Sequence, residues 1–172
     1  GYFALLKKLR AGVTEEQMAT DLEYLTYKHG SRPGSFWSIL GINERAALPH
    51  APLARKKLPA RCLLLFDWGG AVNFYCSDTT RTIFLGKPDP LMKKIYTIVY
   101  DAQMKAIGKT RPGVKASELD FAARSLITKA GYGGNFGHSL GHGIGMQVHE
   151  MPAMNAKSTA ILEPGMDFTV EP

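Results

Sequence analysis

The segment 137–150, which reads GHSLGHGIGMQVHE, places the strongest constraint on what this chain can fold into. Three of the chain's five histidines fall within twelve residues of this segment, among four glycines. Glycine lets the backbone approach a ligand or a second strand closely, and imidazole is the commonest protein ligand for borderline divalent metals. The segment therefore indicates a metal site, unless it is simply a glycine-rich turn with histidines on its surface.

Two acidic residues end the most apolar part of the chain. Residues 62–67 read CLLLFD and are followed by a glycine pair and by AVNFYCSD, a pattern that predicts a buried antiparallel hairpin. If the turn is centred on Val72 and Asn73, Asp67 and Asp78 face each other on neighbouring strands. Opposed carboxylates repel and would need a cation between them. If the turn lies instead at the glycine pair, the two acids are unrelated strand ends.

The remaining sequence predicts helices and strands in an irregular order. Helical periods and capping residues predict helices over 2–11, over 14–29 with Thr14 and Gln17 as a capping box, from Pro90, and from a cap at Ser117 to a stop at Gly131. The second of these helices is expected to bury Met18, Leu22 and Leu25. Apolar runs predict strands over 35–40, 62–67, 79–85 and 166–171, with loops over 43–59 and 151–160. The helix from Pro90 is expected to bury Leu91, Ile95, Ile98, Val99, Ala102 and Ala106. This order predicts an α+β domain in which helices cover an antiparallel sheet.

Composition narrows the class of protein. The 172 residues are 45% apolar and 21% charged, which is ordinary for one soluble globular domain. The net charge of +6 means that anionic partners have to be considered. No basic run with interleaved aromatic residues supports nucleic-acid binding, however. No apolar run reaches the roughly 18 to 20 residues of a bilayer span, so no membrane association is expected. Two cysteines, Cys62 and Cys76, favour reduced thiols and a cytoplasmic setting.

The polar residues at predicted strand ends form an oxygen-rich donor set. Its members are Asp67, Asp78, His142 and Glu171, with His50, His138 and His149 beside them. Three carboxylates and one imidazole are unsuited to a structural zinc site and suit a hydrolytic site for manganese, cobalt, iron or zinc. Carboxylates can bridge two ions about 3.5–4 Å apart, which would share a hydroxide and polarise a carbonyl.

These motifs resemble those of a known family. Asp67 and Asp78 lie eleven residues apart, and His142 falls within GHGIG, His149 within VHE and Glu171 within FTVEP. The pattern is similar to that of the pita-bread metallopeptidases, which include methionine aminopeptidases, Xaa-Pro aminopeptidases and prolidases. The similarity covers nearly the whole chain. It implies a pita-bread (creatinase/aminopeptidase-like) fold, in which helices cover a curved antiparallel sheet.

The resemblance also implies a role for each candidate metal ligand. Asp67 would chelate one metal ion, Asp78 would bridge two ions, and His142 and Glu171 would hold the other. Glu171 additionally resembles the acid proposed as general base in that family. The implied cofactors are two divalent metal ions, with manganese favoured and cobalt, zinc or iron as alternatives.

Three further histidines match positions around the substrate in the same family. His149 resembles a histidine that contacts the substrate, and His50 resembles one placed near the scissile bond. His138 lies four residues before His142 and resembles an additional histidine of the Xaa-Pro branch. All three would help to stabilise the tetrahedral intermediate.

The implied activity is that of an exopeptidase that hydrolyses the bond before proline. It would act as an Xaa-Pro aminopeptidase or an Xaa-Pro dipeptidase on a peptide or dipeptide with proline in second position, with a metal-bound hydroxide as nucleophile. The resemblance allows a homodimer. It further implies that residues 1–172 are a catalytic domain that lacks the family's preceding N-terminal domain and its last strands, which carry a fifth, glutamate ligand.

Three alternatives remain open at this level. Methionine aminopeptidase activity would use the same ligands, although His138 and the tripeptide Leu48-Pro49-His50 argue against it. A non-catalytic pita-bread module that binds proteins or peptides would normally lack the ligands. A metal-free relative that acts on creatine would replace the acidic ligands.

Overall fold

The computed structural model of the chain describes residues 1–32 and 34–172. They form two compact units, Gly1–Asp89 and Pro90–Pro172, and each unit has its own hydrophobic core. That residues 1–172 make up one catalytic domain stays a prediction. Within the described part of the chain, no helix combines the length and the apolar content that crossing a bilayer requires.

The first unit opens with two helices, α1 (Tyr2–Leu6) and α2 (Glu15–Lys28). The predicted capping box of α2 is confirmed, because Thr14 Oγ1 accepts the Gln17 amide at 3.2 Å and the Gln17 side chain accepts the Thr14 amide at 3.0 Å. The first helix is shorter than the predicted 2–11. The buried apolar residues of α2 are Met18, Ala19, Leu22 and Leu25, which include the predicted Met18, Leu22 and Leu25.

A three-stranded antiparallel sheet packs against these helices. Its order is β1 (Ile39–Ile42), β2 (Cys62–Trp68) and β5 (Thr79–Leu85), with β2 in the centre. Every second residue of β2 from Cys62 to Phe66 points into the core. The strand predicted over 35–40 begins only at Ile39, and Trp37, inside the predicted range, is 86% exposed.

The chain between β2 and β5 forms a hairpin tip from β3 (Ala71–Val72) and β4 (Tyr75–Cys76). Its turn residues are Asn73 and Phe74, with positive φ angles of 50° and 71°. Two consecutive positive φ angles suit a tight two-residue hairpin turn, and Asn tolerates this region well. The turn therefore lies one residue later than the predicted centre. The tip is also exposed rather than buried.

This shift changes the residue that lies opposite Asp67. Asp67 pairs with Thr80 of β5, and Asp78 lies two residues before Thr80, in a diagonal position. The prediction that Asp67 and Asp78 are directly opposed is therefore wrong, because moving the turn by one residue moves every opposed pair by two. The alternative with the turn at the glycine pair is also wrong. Both acids nevertheless belong to the same end of one hairpin.

The second unit contains two long helices, α3 (Pro90–Ile107) and α4 (Ala116–Lys129), which share one core. The buried face predicted for α3 is only partly correct. Ala102 and Ala106 are fully buried, whereas Leu91 and Ile95 are 55% and 37% exposed. The helical period identifies which residues share a face, but it does not say how far a neighbouring element covers that face.

The start of α4 differs from the prediction. Lys115 is the N-cap residue and Ser117 lies inside the first turn, so the predicted Ser117 cap is wrong. A backbone carbonyl from a segment that packs beside the helix start serves instead of a side-chain cap. The Ala116 amide donates to this carbonyl, that of Ala160, at 2.9 Å. An amide satisfied in this way needs no side-chain cap. The predicted stop at Gly131 is confirmed by a positive φ of 91° after the helix end.

The C-terminal part of the second unit is a small antiparallel ladder. Strand β6 (Gly141–Gly143) pairs with β7 (Glu150–Met154), so the loop predicted over 151–160 begins with a strand. The strand predicted over 166–171 is present only as an extended segment. It bridges to β6 at Phe168 and forms backbone hydrogen bonds on both sides of that bridge.

Candidate metal centre

The two acids of the first unit occupy the hairpin end. Asp67 follows Phe66 in β2, and because Phe66 points into the core, Asp67 lies on the opposite face of the sheet. Asp78 directly precedes β5. Both residues are half-buried. A carboxylate next to a buried apolar strand is costly unless a partner compensates its charge, so the position itself favours a polar or ionic role.

In the second unit, β6 and the extended C-terminal segment bring His142 and Glu171 together. Nε2 of His142 lies 3.2 Å from Oε1 of Glu171. The two chain segments approach closely because residue 141 is glycine. A Cβ atom at Gly141 would overlap the carbonyl group of Thr169, so any larger residue would push the two segments apart.

The tautomer of His142 follows from its second hydrogen bond. Nδ1 lies 3.0 Å from the Gly143 carbonyl oxygen, which can only accept, so Nδ1 carries the proton. Where the ring carries only this proton, Nε2 presents its lone pair beside Glu171. This is the arrangement typical of metal-binding histidines, whose other ring nitrogen donates to a carbonyl or carboxylate.

A lone pair and a carboxylate oxygen 3.2 Å apart repel each other unless a positive charge lies between them. That charge can be a proton on Nε2 or a metal ion. Two ligands each about 2.0–2.2 Å from one ion are separated by a distance of this order. The pair therefore fits a divalent metal both in donor chemistry and in spacing.

Thr169 connects the two candidate ligands. Its hydroxyl donates to Oε1 of Glu171 at 2.7 Å and accepts the backbone N–H of His142 at 3.0 Å. The Thr169 amide also donates to the His142 carbonyl at 2.8 Å. These bonds fix the Glu171 carboxylate relative to the strand that carries His142.

His149 lies beside this pair. Its ring centroid is 4.2 Å from that of His142, and the planes are inclined by 64°. His149 is exposed, so its ring is accessible to a ligand from solvent. The structure thus brings together three of the predicted residues of the second unit: His142, His149 and Glu171.

His138 lies in the same unit on the segment that leads into β6. It is exposed, its Nδ1 lies 2.8 Å from the Ser139 carbonyl oxygen, and its ring packs edge-on against Phe136 at 5.0 Å. Arg124 of α4 donates to the His138 carbonyl at 2.8 Å. The segment is therefore tied to α4.

His50 lies in an exposed turn of the first unit, as its proline-containing context predicts. The residues around this turn are anchored by Glu15, whose buried carboxylate accepts from Arg45 Nε and from the Ala54 amide, all at 3.1 Å. Arg45 also donates to the Pro52 carbonyl. The chain on both sides of His50 is therefore held to α2.

Four residues that support these sites were not predicted from the sequence: Thr169, Glu15, Asp120 and Arg124. Thr169 could have been noticed because it lies two residues before Glu171, on the same side of an extended segment. Asp120 and Arg124 have the i, i+4 spacing of a helical ion pair. The side-chain hydrogen bonds to Asp120 raise the pKa of Arg124, so the guanidinium keeps its charge. No local signal distinguishes Glu15 from Glu16.

Comparison with known proteins supports the motif resemblance. The sequence profile of metallopeptidase family M24 matches residues 2–172. The Xaa-Pro dipeptidase of Pyrococcus horikoshii is 40% identical over 169 residues, which make up 98% of this chain and 48% of that protein. The chain spans about half the length of the curated relatives it matches.

Solved structures give the same result for the fold. The prolidase from Pyrococcus furiosus matches with a TM-score of 0.95 and 37% identity, over 98% of this chain and 50% of that one. The X-Pro aminopeptidase from Thermotoga maritima matches with a TM-score of 0.95 and 37% identity, over 98% of this chain and 48% of that one. The predicted α+β fold of the pita-bread type is therefore confirmed for the part that this chain covers. Sequence profile, relatives and structures agree, and the chain belongs to metallopeptidase family M24.

Proposed function

We propose that this chain contributes to metal-dependent hydrolysis of the peptide bond that precedes proline. The observation that carries the proposal is the His142–Glu171 pair, in which a fixed imidazole tautomer presents Nε2 to a carboxylate 3.2 Å away. The relatives named Xaa-Pro dipeptidase, prolidase and X-Pro aminopeptidase support a substrate with proline in second position. Both a dipeptidase and an aminopeptidase are compatible with this site.

The proposed ligands of two divalent ions are Asp67, Asp78, His142 and Glu171. Manganese is favoured, with cobalt, zinc and iron as alternatives, because a set rich in carboxylates suits these ions in hydrolytic sites. Ions bound there would supply positive charge that polarises a carbonyl group and lowers the pKa of water. The roles of chelating and bridging carboxylate fall to Asp67 and Asp78, respectively.

Glu171 is the proposed proton carrier. Its Oε1 accepts a hydrogen bond from Thr169, which orients the carboxylate without neutralising it. In this orientation the carboxylate can accept a proton from the attacking water and return it to the leaving nitrogen of proline.

His50, His138 and His149 are proposed as hydrogen-bond donors to the substrate and the tetrahedral intermediate. His149 is positioned for this role by its exposed ring beside His142. For His138 the role requires a doubly protonated ring, because its Nδ1–H already donates to the Ser139 carbonyl. For His50 the support is its exposed position between two anchored chain segments.

The proposal is tested by incubating the purified protein with Ala-Pro, Ala-Pro-Ala and Met-Ala peptides, in manganese chloride and in EDTA. We expect hydrolysis of at least one proline peptide that requires manganese and is lost in Glu171→Gln. Glu163→Gln, which changes an exposed glutamate of the same unit, is the matched control and should retain activity. Cleavage of Met-Ala alone would favour a methionine aminopeptidase. Peptide binding without any cleavage would favour a binding module.

A cytoplasmic setting is part of the proposal. Cys62 and Cys76 are both in the thiol form, which suits a reducing compartment. Trapping thiols by rapid alkylation in intact source cells tests this, and we expect both to be found reduced. Homodimer formation stays a prediction that light scattering can test.

A further inference from the structure

We propose that Arg124 is a positioning residue that holds the backbone of His138 and thereby sets the orientation of its imidazole. The inference rests on the proposed function only where it concerns catalysis by His138. The positioning itself can be measured without any turnover. No role for Arg124 follows from the motifs that led to the metal centre.

The guanidinium of Arg124 is fixed by a buried acid on its own helix. Nε and one terminal nitrogen donate to the two oxygens of Asp120, both at 2.8 Å, which is a bidentate pair. The Asp120 side chain is fully buried. A planar cation held at two points by a buried carboxylate has little freedom to rotate.

The same guanidinium then donates to the segment that carries His138. One N–H reaches the Phe136 carbonyl at 2.7 Å, and another reaches the His138 carbonyl at 2.8 Å. The guanidinium carbon also lies 4.0 Å from the centroid of the Phe136 ring. Arg124 therefore contacts residues 136–138 through two backbone bonds and one ring face.

The contacts of the His138 ring are local, which makes its orientation depend on this backbone. The ring packs against Phe136, two residues earlier, and its Nδ1–H donates to the carbonyl of the next residue, Ser139. Both contacts persist only while the chain from 136 to 139 keeps its path. Arg124 fixes that path at two of its carbonyl groups.

Lysine cannot replace arginine in this arrangement. The guanidinium of Arg124 uses four N–H groups that lie in one plane, two toward Asp120 and two toward carbonyl oxygens. An ammonium group has three donors that radiate from one atom, so it can reach the acid or the carbonyls but not all four acceptors. The design of the site thus depends on the shape of the guanidinium and not only on its charge.

The direct test is a long-range ¹H–¹⁵N spectrum of the histidine rings at a pH where they are neutral, with His138 assigned from a His138→Gln variant. We expect the wild-type His138 to show a single Nδ1–H tautomer. In Arg124→Lys it should show the averaged, mainly Nε2–H pattern of a mobile imidazole. Arg111→Lys, at an exposed position of the same unit, is the matched control and should leave the spectrum unchanged.

Arg124→Lys takes the bidentate partner away from the buried Asp120 carboxylate and can therefore fail to fold. The double variant Asp120→Asn/Arg124→Gln avoids this, because it removes the pair without leaving a lone charge. It should give the same averaged His138 pattern while the melting transition stays cooperative. An unchanged Nδ1–H tautomer in either folded variant would overturn the proposal.

A kinetic cycle tests the catalytic consequence. If the wild-type protein cleaves a proline peptide, Arg124→Lys should lower kcat by about tenfold, in the range typical for residues that orient a ligand. In a His138→Ala background the same change should lower kcat by less than about twofold, because coupled residues are not additive. Equal losses in both backgrounds would show that Arg124 does not act through His138. Absence of wild-type turnover would contradict the proposed function, while the ring spectrum would still decide the positioning.

Discussion

The hydroxyl of Thr169 lies 2.7 Å from Oε1 of Glu171 and donates a hydrogen bond to that carboxylate. The hydroxyl oxygen of Thr169 also accepts a hydrogen bond from the backbone N–H of His142 at 3.0 Å. One small side chain thus sets both the rotamer of a candidate ligand and the distance between the two chain segments that carry the pair. A threonine two residues before a glutamate in an extended segment is therefore part of the site, although it offers no ligand atom itself.

Replacing Thr169 with valine keeps the shape of the side chain and removes both hydrogen bonds. We expect manganese affinity to fall by about 10- to 100-fold, because the Glu171 carboxylate loses its orienting donor. The free energy of unfolding should fall by only about 1–2 kcal/mol. Calorimetric titration with manganese and chemical denaturation measure the two quantities.

The matched control for this change is Thr97→Val on α3, where the hydroxyl donates to the carbonyl of Lys93 on the same helix. It should leave manganese affinity unchanged. If Thr169→Val binds manganese as tightly as the wild type, orientation of Glu171 by Thr169 has no bearing on the site.

Glu15→Gln should destabilise the first unit strongly. The Glu15 carboxylate is fully buried, accepts the Ile42 and Ala54 amides, and pairs with Arg45, whose side chain is 22% exposed. Glutamine cannot accept all of these bonds and leaves the cation unpaired, so we expect a loss of about 2–4 kcal/mol in the free energy of unfolding. Chemical denaturation followed by tryptophan fluorescence measures this loss.

The neighbouring variant Glu16→Gln provides the comparison. Glu16 pairs with Arg55, whose side chain is 89% exposed, so the same chemical change should cost less than about 1 kcal/mol. Equal losses in the two variants would show that burial of Glu15 does not determine its contribution.

The Cys62 thiol makes the stability of the protein depend on pH in the alkaline range. Burial raises its pKa, so the folded protein holds this proton more tightly than the unfolded chain does. The resulting stabilisation is complete below the thiol pKa of the unfolded chain, about 8.5, and is lost as the pH rises through the folded value. Denaturation curves at several pH values from 7 to 10 should show this decline.

Other groups also titrate in this range, so the decline is compared with that of Cys62→Val, which keeps an apolar side chain of similar size. The variant should lose less stability between pH 7 and pH 10 than the wild type. Parallel curves for the two proteins would contradict a raised pKa at Cys62.

The sequence predicted features that depend on neighbours along the chain. The capping box of Thr14 and Gln17, the stop at Gly131 and the buried face of α2 involve residues within a few positions of one another, and the structure confirms all three. Asp67 lies near the end of β2 and Asp78 lies directly before β5, close to the predicted strand ends, while their role as metal ligands stays a prediction. Local chemistry determines these features, so a pattern in the sequence is enough to find them.

The predictions that failed depend on residues far apart in sequence. The hairpin register changed because two positive φ angles at Asn73 and Phe74 moved the turn, and Phe74 carries no signal for that conformation. The Ser117 cap was unnecessary because the Ala160 carbonyl, more than forty residues away, satisfies the helix start. For the same reason the buried pair of Glu15 and Arg45 could not be foreseen, since only the fold brings these two residues together.

The most direct test of the metal centre is calorimetric titration of manganese into metal-free protein, comparing the wild type with His142→Ala, Glu171→Gln, Asp67→Asn and Asp78→Asn. Glu163→Gln is the control at an exposed site. We predict saturable manganese binding by the wild type and the control, and a loss of more than about tenfold in affinity for each of the four variants. Undiminished binding in those variants, or no binding by the wild type, would contradict the assignment of these residues as metal ligands.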